Sequence, residues 1–179
     1  MLAKLTSPGD FSRAEAFQAA RMISRTGLGF DVHAFAGNGP IMLGGITIPH
    51  IRGLAGHSDA DVVLHAITDA LLGAAGLGDI GQHFPPSDPQ WKGAASAKFL
   101  EHAAGLVKQA GFSLVNVDTT VILEKPKLKN YREAIRESLA RALALPLDRV
   151  SVKFKTAEGV GPVGQGLSAE AQAIVTIAR

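Results

Sequence analysis

The sequence predicts a layered α/β or α+β fold, one sheet with helices on one of its faces. Three observations predict it. Five strand-forming stretches interleave with apolar-periodic helical ones. Apolar residues are 46% of the chain and charged ones 19%, which supports a real core without disulfides. At 179 residues there is room for one domain and little more.

In chain order, MLAKLTSPGD reads as turn, and DFSRAEAFQAARMIS as a helix with Asp10 or Ser12 as its N-cap. The compact domain is expected over 26–179, with residues 1–25 an appended linker. TGLGFDV (26–32) is the first strand and IMLGGITI (41–48) the second. A helix from Ala60 to Ala75 follows, capped by Ser58 or Asp59, then one from Ala95 to Gln109 ending before Gly111. VNVDTTVIL (115–123) is a strand, Lys129 to Ala144 a helix stopped by Pro146, and VSVKFKT (150–156) a strand. AQAIVTIA (171–178) reads as strand or helix, since Ala and Gln favour the latter. The 115–123 strand is apolar at 115, 117, 121, 122 and 123, with Asp118, Thr119 and Thr120 interrupting, and such a mixed pattern suits packing of the sheet against another subunit. The abundance of Ala and Gly in a chain only 6% aromatic suits the same self-association.

Composition also excludes functions. With no cysteine there is no thiolate catalysis and no Cys-based metal site, so any metal must be held by His, Asp or Glu. A net charge of +2 without a basic stripe argues against nucleic acid. No apolar run approaches the roughly 18 residues of a membrane span, and no signal-peptide region opens the chain, so a cytoplasmic location is the default expectation.

In GFDVHAF, Asp31 and His33 project to one side of a strand, about 6.5–7 Å apart. Two ligands rarely make a zinc site; the third candidate is His65, on the apolar helix of HSDADVVLHAITDALLGA. Asp61 and Asp69, four residues to either side, could accept its second ring N–H. Two histidines and one aspartate leave a tetrahedral position open, as catalytic zinc requires. A lone histidine on an apolar helix face is, alternatively, a core residue with one hydrogen bond.

Three other segments carry polar groups. His57 and Ser58 precede the same helix, where free N–H groups favour phosphate or, more plainly, an N-cap. GLGDIGQHFPPSDPQWKGAAS (76–96) reads as a loop over a site, in which Asp79 either binds a substrate hydroxyl or is simply solvated beside helix-ending glycines. KTAEGVGPVGQG places Thr156 and Glu158 after a strand, and Glu158 suits a hard ion such as Mg²⁺. Phosphate-loop, dinucleotide and HExxH signatures are absent.

GFDVHAF, GHSDADVVLHAITDALLGAAGLGDIGQHFP, SDPQWKGAAS and NVDTTVILEKPK occur in this order, and together resemble the 2-C-methyl-D-erythritol 2,4-cyclodiphosphate synthase family from Gly27 to Ala178. The resemblance implies an α+β two-layer sandwich with a mainly four-stranded mixed sheet, assembled as a homotrimer whose sheets pack around the three-fold axis. It implies zinc at Asp31, His33 and His65, and magnesium or manganese at Glu158. Substrate contacts fall on His57, Ser58, Asp79, Asp88, Lys125, Lys127, Leu128 and Thr156, with the catalytic roles on His57, Asp79, Thr156 and Glu158. The implied substrate is a cytidine diphosphate, 4-diphosphocytidyl-2-C-methyl-D-erythritol 2-phosphate, whose 2-phosphate attacks the β-phosphorus and expels CMP. Each active site is expected between subunits.

The chain departs from the family in FPPSD, where Pro86 replaces an acidic residue, and at Pro162 and Gln165, which replace a Phe and an Arg associated with an isoprenoid-phosphate cavity on the axis. KLTSPGDFSRAEAF resembles the end of the preceding cytidylyltransferase, so a fused, bifunctional parent protein is expected. A zinc phosphodiesterase and a non-catalytic trimeric binding module are the rival readings.

Overall fold

Strand β1 (Ser24–Ala36) has glycine at two positions where its neighbour comes closest. In the computed structural model, which describes residues 7–19 and 22–179, helix α2 (Val62–Ala75) lies directly across those glycines. A methyl on Gly27 would sit 2.0 Å from the Ala70 carbonyl oxygen, and one on Gly29 1.9 Å from that of Ala66. The helix answers with alanines at 66, 70 and 74, all buried. Small residues on both surfaces let backbone approach backbone, and this explains the Ala- and Gly-rich composition.

The remaining elements are helix α1 (Pro8–Ala19), strands β2 (Ile41–Leu43), β3 (Ile46–Ile48) and β4 (Gly53–Leu54), helices α3 (Ile80–His83) and α4 (Ser96–Gln109), strand β5 (Ser113–Ile122), helix α5 (Arg132–Ala142), strand β6 (Val150–Lys155), helix α6 (Gly161–Gly164) and strand β7 (Ser168–Ala178). The sheet order is β4-β1-β7-β5-β6, with β5 and β6 parallel and the other pairs antiparallel. The parallel pair is joined through α5, as a crossover requires. It is the α+β mixed sheet expected, with five strands rather than four, because the two-residue β4 pairs with the end of β1.

Several expectations need correction. IMLGGITI is a hairpin outside the main sheet: Gly44 and Gly45, at φ +61° and +77°, turn the chain between β2 and β3. The last segment is strand, since Ala169, Ala171, Ala173, Val175 and Ile177 are buried at every second position. Helix α2 is capped by Asp61, not Ser58 or Asp59; its carboxylate accepts from the N–H groups of Val63 and Leu64, and also from those of Gly44 and Gly45. That one buried side chain joins the hairpin to the helix. In α1, Ser7 caps, in reciprocal hydrogen bonds with Asp10, while Ser12 donates back to the Pro8 carbonyl. That helix is described over Pro8–Ala19; residues 20–21 of its expected span lie outside the described residues, and Ser24 opens β1, two residues before the expected domain start. The last core helix begins at Arg132, after a 3₁₀ turn over Lys129–Tyr131.

Helices α2, α4 and α5 cover one face of the sheet. The other is left open among the described residues, and there Leu28 is 68% exposed, with Phe30, Val32 and Ile174 nearly half exposed. No helix among the described residues is long and apolar enough to cross a membrane.

Candidate metal centre and nucleotide cleft

The close approach of α2 to β1 sets the first site. Asp31 and His33 lie on the helix side of β1, and His65 is in the first turn of α2, next to the Ala66 that rests on Gly29. Asp31 Oδ2 lies 2.9 Å from His33 Nε2 and 3.0 Å from His65 Nδ1; the two ring nitrogens are 3.1 Å apart. The side chains are 25%, 15% and 11% exposed respectively, so the trio is mostly withdrawn from water.

The His33 tautomer follows from its other nitrogen. Nδ1 faces the Ala55 carbonyl oxygen, which can only accept, so Nδ1 carries the proton and Nε2 turns a lone pair inward. A carboxylate oxygen and that lone pair then face a second imidazole nitrogen across about 3 Å, an arrangement that a proton or a metal ion must bridge. Burial opposes charge on both groups, but mutual hydrogen bonding wins: the Asp31 carboxyl is held below its usual range by His33 and His65, and the His33 imidazole is raised by Asp31. Two imidazoles and a carboxylate suit a borderline ion such as zinc, with room for a further ligand.

Neither Asp61 nor Asp69 supports His65, contrary to expectation. Asp61 is engaged by four backbone N–H groups, and Asp69 accepts from Ile80 N–H. The outer nitrogen of His65 instead meets the hydroxyls of Ser96, at 2.8 Å, and Ser58, at 3.1 Å. Ser96 was not singled out by sequence; a serine opening a helix reads as a cap, and nothing local reports a partner 31 residues away.

Beside the trio lies a 210 Å³ cavity whose lining includes His57, Ser58, His65, Phe84, Trp91 and Phe99. Its wall is aromatic: Phe84 and Phe99 stack at 4.4 Å, and Trp91 meets both edge-on. His57 is exposed, and its carbonyl accepts from Gly93 N–H, which fastens the 76–96 loop to the entrance of α2. Asp79 is exposed and caps α3 through Gln82 N–H, while Asp88 caps the 3₁₀ turn Pro89–Trp91 through Gln90 N–H. Neither is among the residues lining this cavity.

A second cleft, of 370 Å³, sits where β5 and β6 end. Lys127, Leu128, Thr156 and Glu158 line it, as does Phe154, against which the Arg132 guanidinium stacks at 5.4 Å. Lys129, Arg132 and Lys155 add positive charge that the sequence did not mark out, because isolated exposed cations are common on any surface. Thr156 donates its hydroxyl to Glu158, a residue at φ +51°. Lys125 is exposed and outside the lining. The departures from the family pattern fit locally: Pro162 is in the first turn of α6, where its missing N–H is not needed, and Gln165 is exposed.

The two regions share one end of the sheet. Val32 of β1 pairs with Glu170, which pairs with Ile122, which pairs with Lys155. Three strand spacings, about 14 Å, separate the lines of β1 and β6.

The YgbB family model matches residues 24–178. A 2-C-methyl-D-erythritol 2,4-cyclodiphosphate synthase of Solibacter usitatus is 65% identical over 153 residues, 86% of this chain and 96% of that protein. A bifunctional enzyme IspD/IspF of Caulobacter vibrioides is 52% identical over 177 residues; the match takes in 99% of this chain but 46% of that protein, so the chain spans about half of it. A solved 2C-methyl-D-erythritol-2,4-cyclodiphosphate synthase in a CDP-bound form superposes with a TM-score of 0.79 at 42% identity, covering 86% of this chain and 99% of that one. The fold, the extent of the match and the degree of identity agree: the chain belongs to the YgbB family, the enzymes that are 2-C-methyl-D-erythritol 2,4-cyclodiphosphate synthases.

Proposed function

We propose that this enzyme closes 4-diphosphocytidyl-2-C-methyl-D-erythritol 2-phosphate into the 2,4-cyclodiphosphate and releases CMP, in a metal-dependent reaction. The observation that carries the reading is the inward lone pair of His33, aimed with Asp31 and His65 at one point. Zinc bound there would polarise the β-phosphate, and magnesium or manganese at Glu158 would take up charge on the cytidine side. The substrate brings its own nucleophile, so the protein's work is to position and to neutralise.

In this reading Lys127 and Leu128 hold the cytidine end in the 370 Å³ cleft, with Lys125 on its approach and Thr156 orienting Glu158. His57, Ser58, Asp79 and Asp88 surround the erythritol end beside the aromatic cavity, where excluded water disfavours hydrolysis. The CDP-bound relative supports the nucleotide assignment. The open apolar face of the sheet supports a homotrimer packed around its three-fold axis, with the trio of one subunit and the cleft of the next completing each site. Residues 1–25 are read as a linker and remnant of a preceding cytidylyltransferase domain, and 26–179 as the synthase domain, a reading supported by the IspD/IspF relative.

The test is incubation with that substrate and Mg²⁺, with and without a zinc chelator, followed by phosphorus NMR. A ring diphosphate plus CMP, suppressed by the chelator and by His65→Ala, is the expected result. Incorporation of ¹⁸O from water into the product would mean hydrolysis and overturn the reading.

A further inference from the structure

Behind His65 a second, largely buried line of hydrogen bonds runs away from the metal trio. Ser96, the first residue of α4, is 0% exposed. Its hydroxyl makes a short contact with Asp59 Oδ1, its backbone N–H reaches Asp59 Oδ2 at 3.2 Å, and its oxygen is 2.8 Å from His65 Nε2. An ionised carboxylate only accepts and a serine has a single proton, so Ser96 gives that proton to Asp59 and must accept from His65 Nε2–H. The Ser58 hydroxyl, 3.1 Å from Nε2 and 3.2 Å from Ser96 Oγ, accepts from Ala60 N–H and fits the same direction. With Nε2 protonated, His65 Nδ1 turns a lone pair towards Asp31 and His33.

We propose that Asp59 and Ser96 are positioning residues that fix the His65 tautomer, so that the ring arrives at the ion as a ready ligand. This rests on the metal-dependent reading above and deepens it. The relay also reaches the substrate loop: Asp59 N–H donates to the Ala94 carbonyl at 3.1 Å, two residues before Ser96. The same turn that orients the ligand therefore closes the 76–96 loop against the site.

The experiment is zinc affinity by chelator competition on the full chain, for wild type, Ser96→Ala, Ser96→Thr and Asp59→Asn, with the apo unfolding midpoint recorded for each. Ser96→Ala is expected to bind zinc roughly 10–100-fold more weakly. Ser96→Thr should restore most of that loss, and Asp59→Asn should fall between. With Co²⁺ in place of zinc, the shifted His65 Nε2–H proton resonance should be protected from exchange in wild type and lose that protection in Ser96→Ala and Asp59→Asn. Wild-type zinc affinity and exchange in a folded Ser96→Ala would overturn the proposal; should that variant fail to fold, the same result in the near-isosteric Asp59→Asn would do so. Failure of the wild type itself to bind zinc would instead defeat the metal reading on which the relay is built.

Discussion

The Asp31–His33–His65 trio and the cleft after β5 and β6 lie at the same end of one sheet and are built in opposite ways. The trio stands on a long strand and a helix pressed together through glycine and alanine, with its side chains 11–25% exposed. The cleft is lined from the loops after β5 and β6 and the start of α5, and Lys127, Lys129, Arg132, Lys155 and Glu158 are all exposed. Metal donors must be ordered before the ion arrives, and core packing meets that entropy cost. Long exposed cations keep a side-chain freedom that the packed trio lacks. The contrast teaches that rigidity here is local, supplied where an ion needs geometry.

The sharpest way to break this contrast is to push the helix off the strand. Gly29→Val places its Cβ at the position 1.9 Å from the Ala66 carbonyl, so α2 must move and carry His65 with it. Overpacking of this kind costs about 1–3 kcal/mol and sometimes more. Both the thermal midpoint and zinc binding should fall sharply. Gly159, beside the cleft, is the control: nothing lies within 4 Å of its would-be Cβ, although φ is +78°. Gly159→Ala should cost about 1–2 kcal/mol for its backbone alone and leave zinc affinity as it was. Equal loss of zinc in both variants would show that the trio is no more dependent on packing than the cleft.

A charge change in the cleft tests the contrast from the other side. Glu158→Gln keeps the size of the side chain and its hydrogen bond with Thr156, but removes the charge that would hold a hard cation. Turnover should drop about a hundredfold, a typical loss when one electrostatic stabiliser is removed. Zinc affinity at the trio should not change. If Glu158→Gln weakened zinc binding, the two regions would be one coupled site rather than two.

The same contrast explains what the sequence made legible. Asp31 and His33 stand out because alternation on a strand is a local property, and His65 because a polar ring interrupts an apolar helix stripe. Strand β7 is ambiguous by propensity, and only its burial under α2 resolves it. The hairpin over 41–48 carried its own Gly-Gly signal within an apolar run that also reads as one strand. In HSDAD three residues could cap a helix; Asp61 does so because Ala60, at φ +55°, turns the chain just before it and the Gly44 and Gly45 N–H groups converge on its carboxylate. Ser96, Lys129, Arg132 and Lys155 were invisible for a different reason. Their roles depend on what the fold brings near them, and neither spacing nor residue type encodes that.

The smallest expected effect comes from a carboxylate whose setting differs from that of Asp31. Asp118, on the open face of the sheet, accepts from Lys153 Nζ at 2.5 Å, and its side chain is 35% exposed. Burial works against ionisation there, but the hydrogen bond and charge of Lys153 outweigh it and hold the carboxyl below its ordinary pKa. A carboxylate with a depressed folded-state pKa contributes stability above its unfolded value, and that contribution is lost as pH falls through the folded one. Within one subunit the pair is half in water and therefore weak. Asp118→Asn should lower the urea midpoint slightly at pH 7, and the gap from wild type should close as the solution is taken below about pH 4. Both proteins share the trio, so its acid sensitivity cancels in the comparison. A gap that stayed constant from neutral to acid pH would mean that Asp118 acts through shape rather than charge, and the open face would then owe nothing to this ion pair.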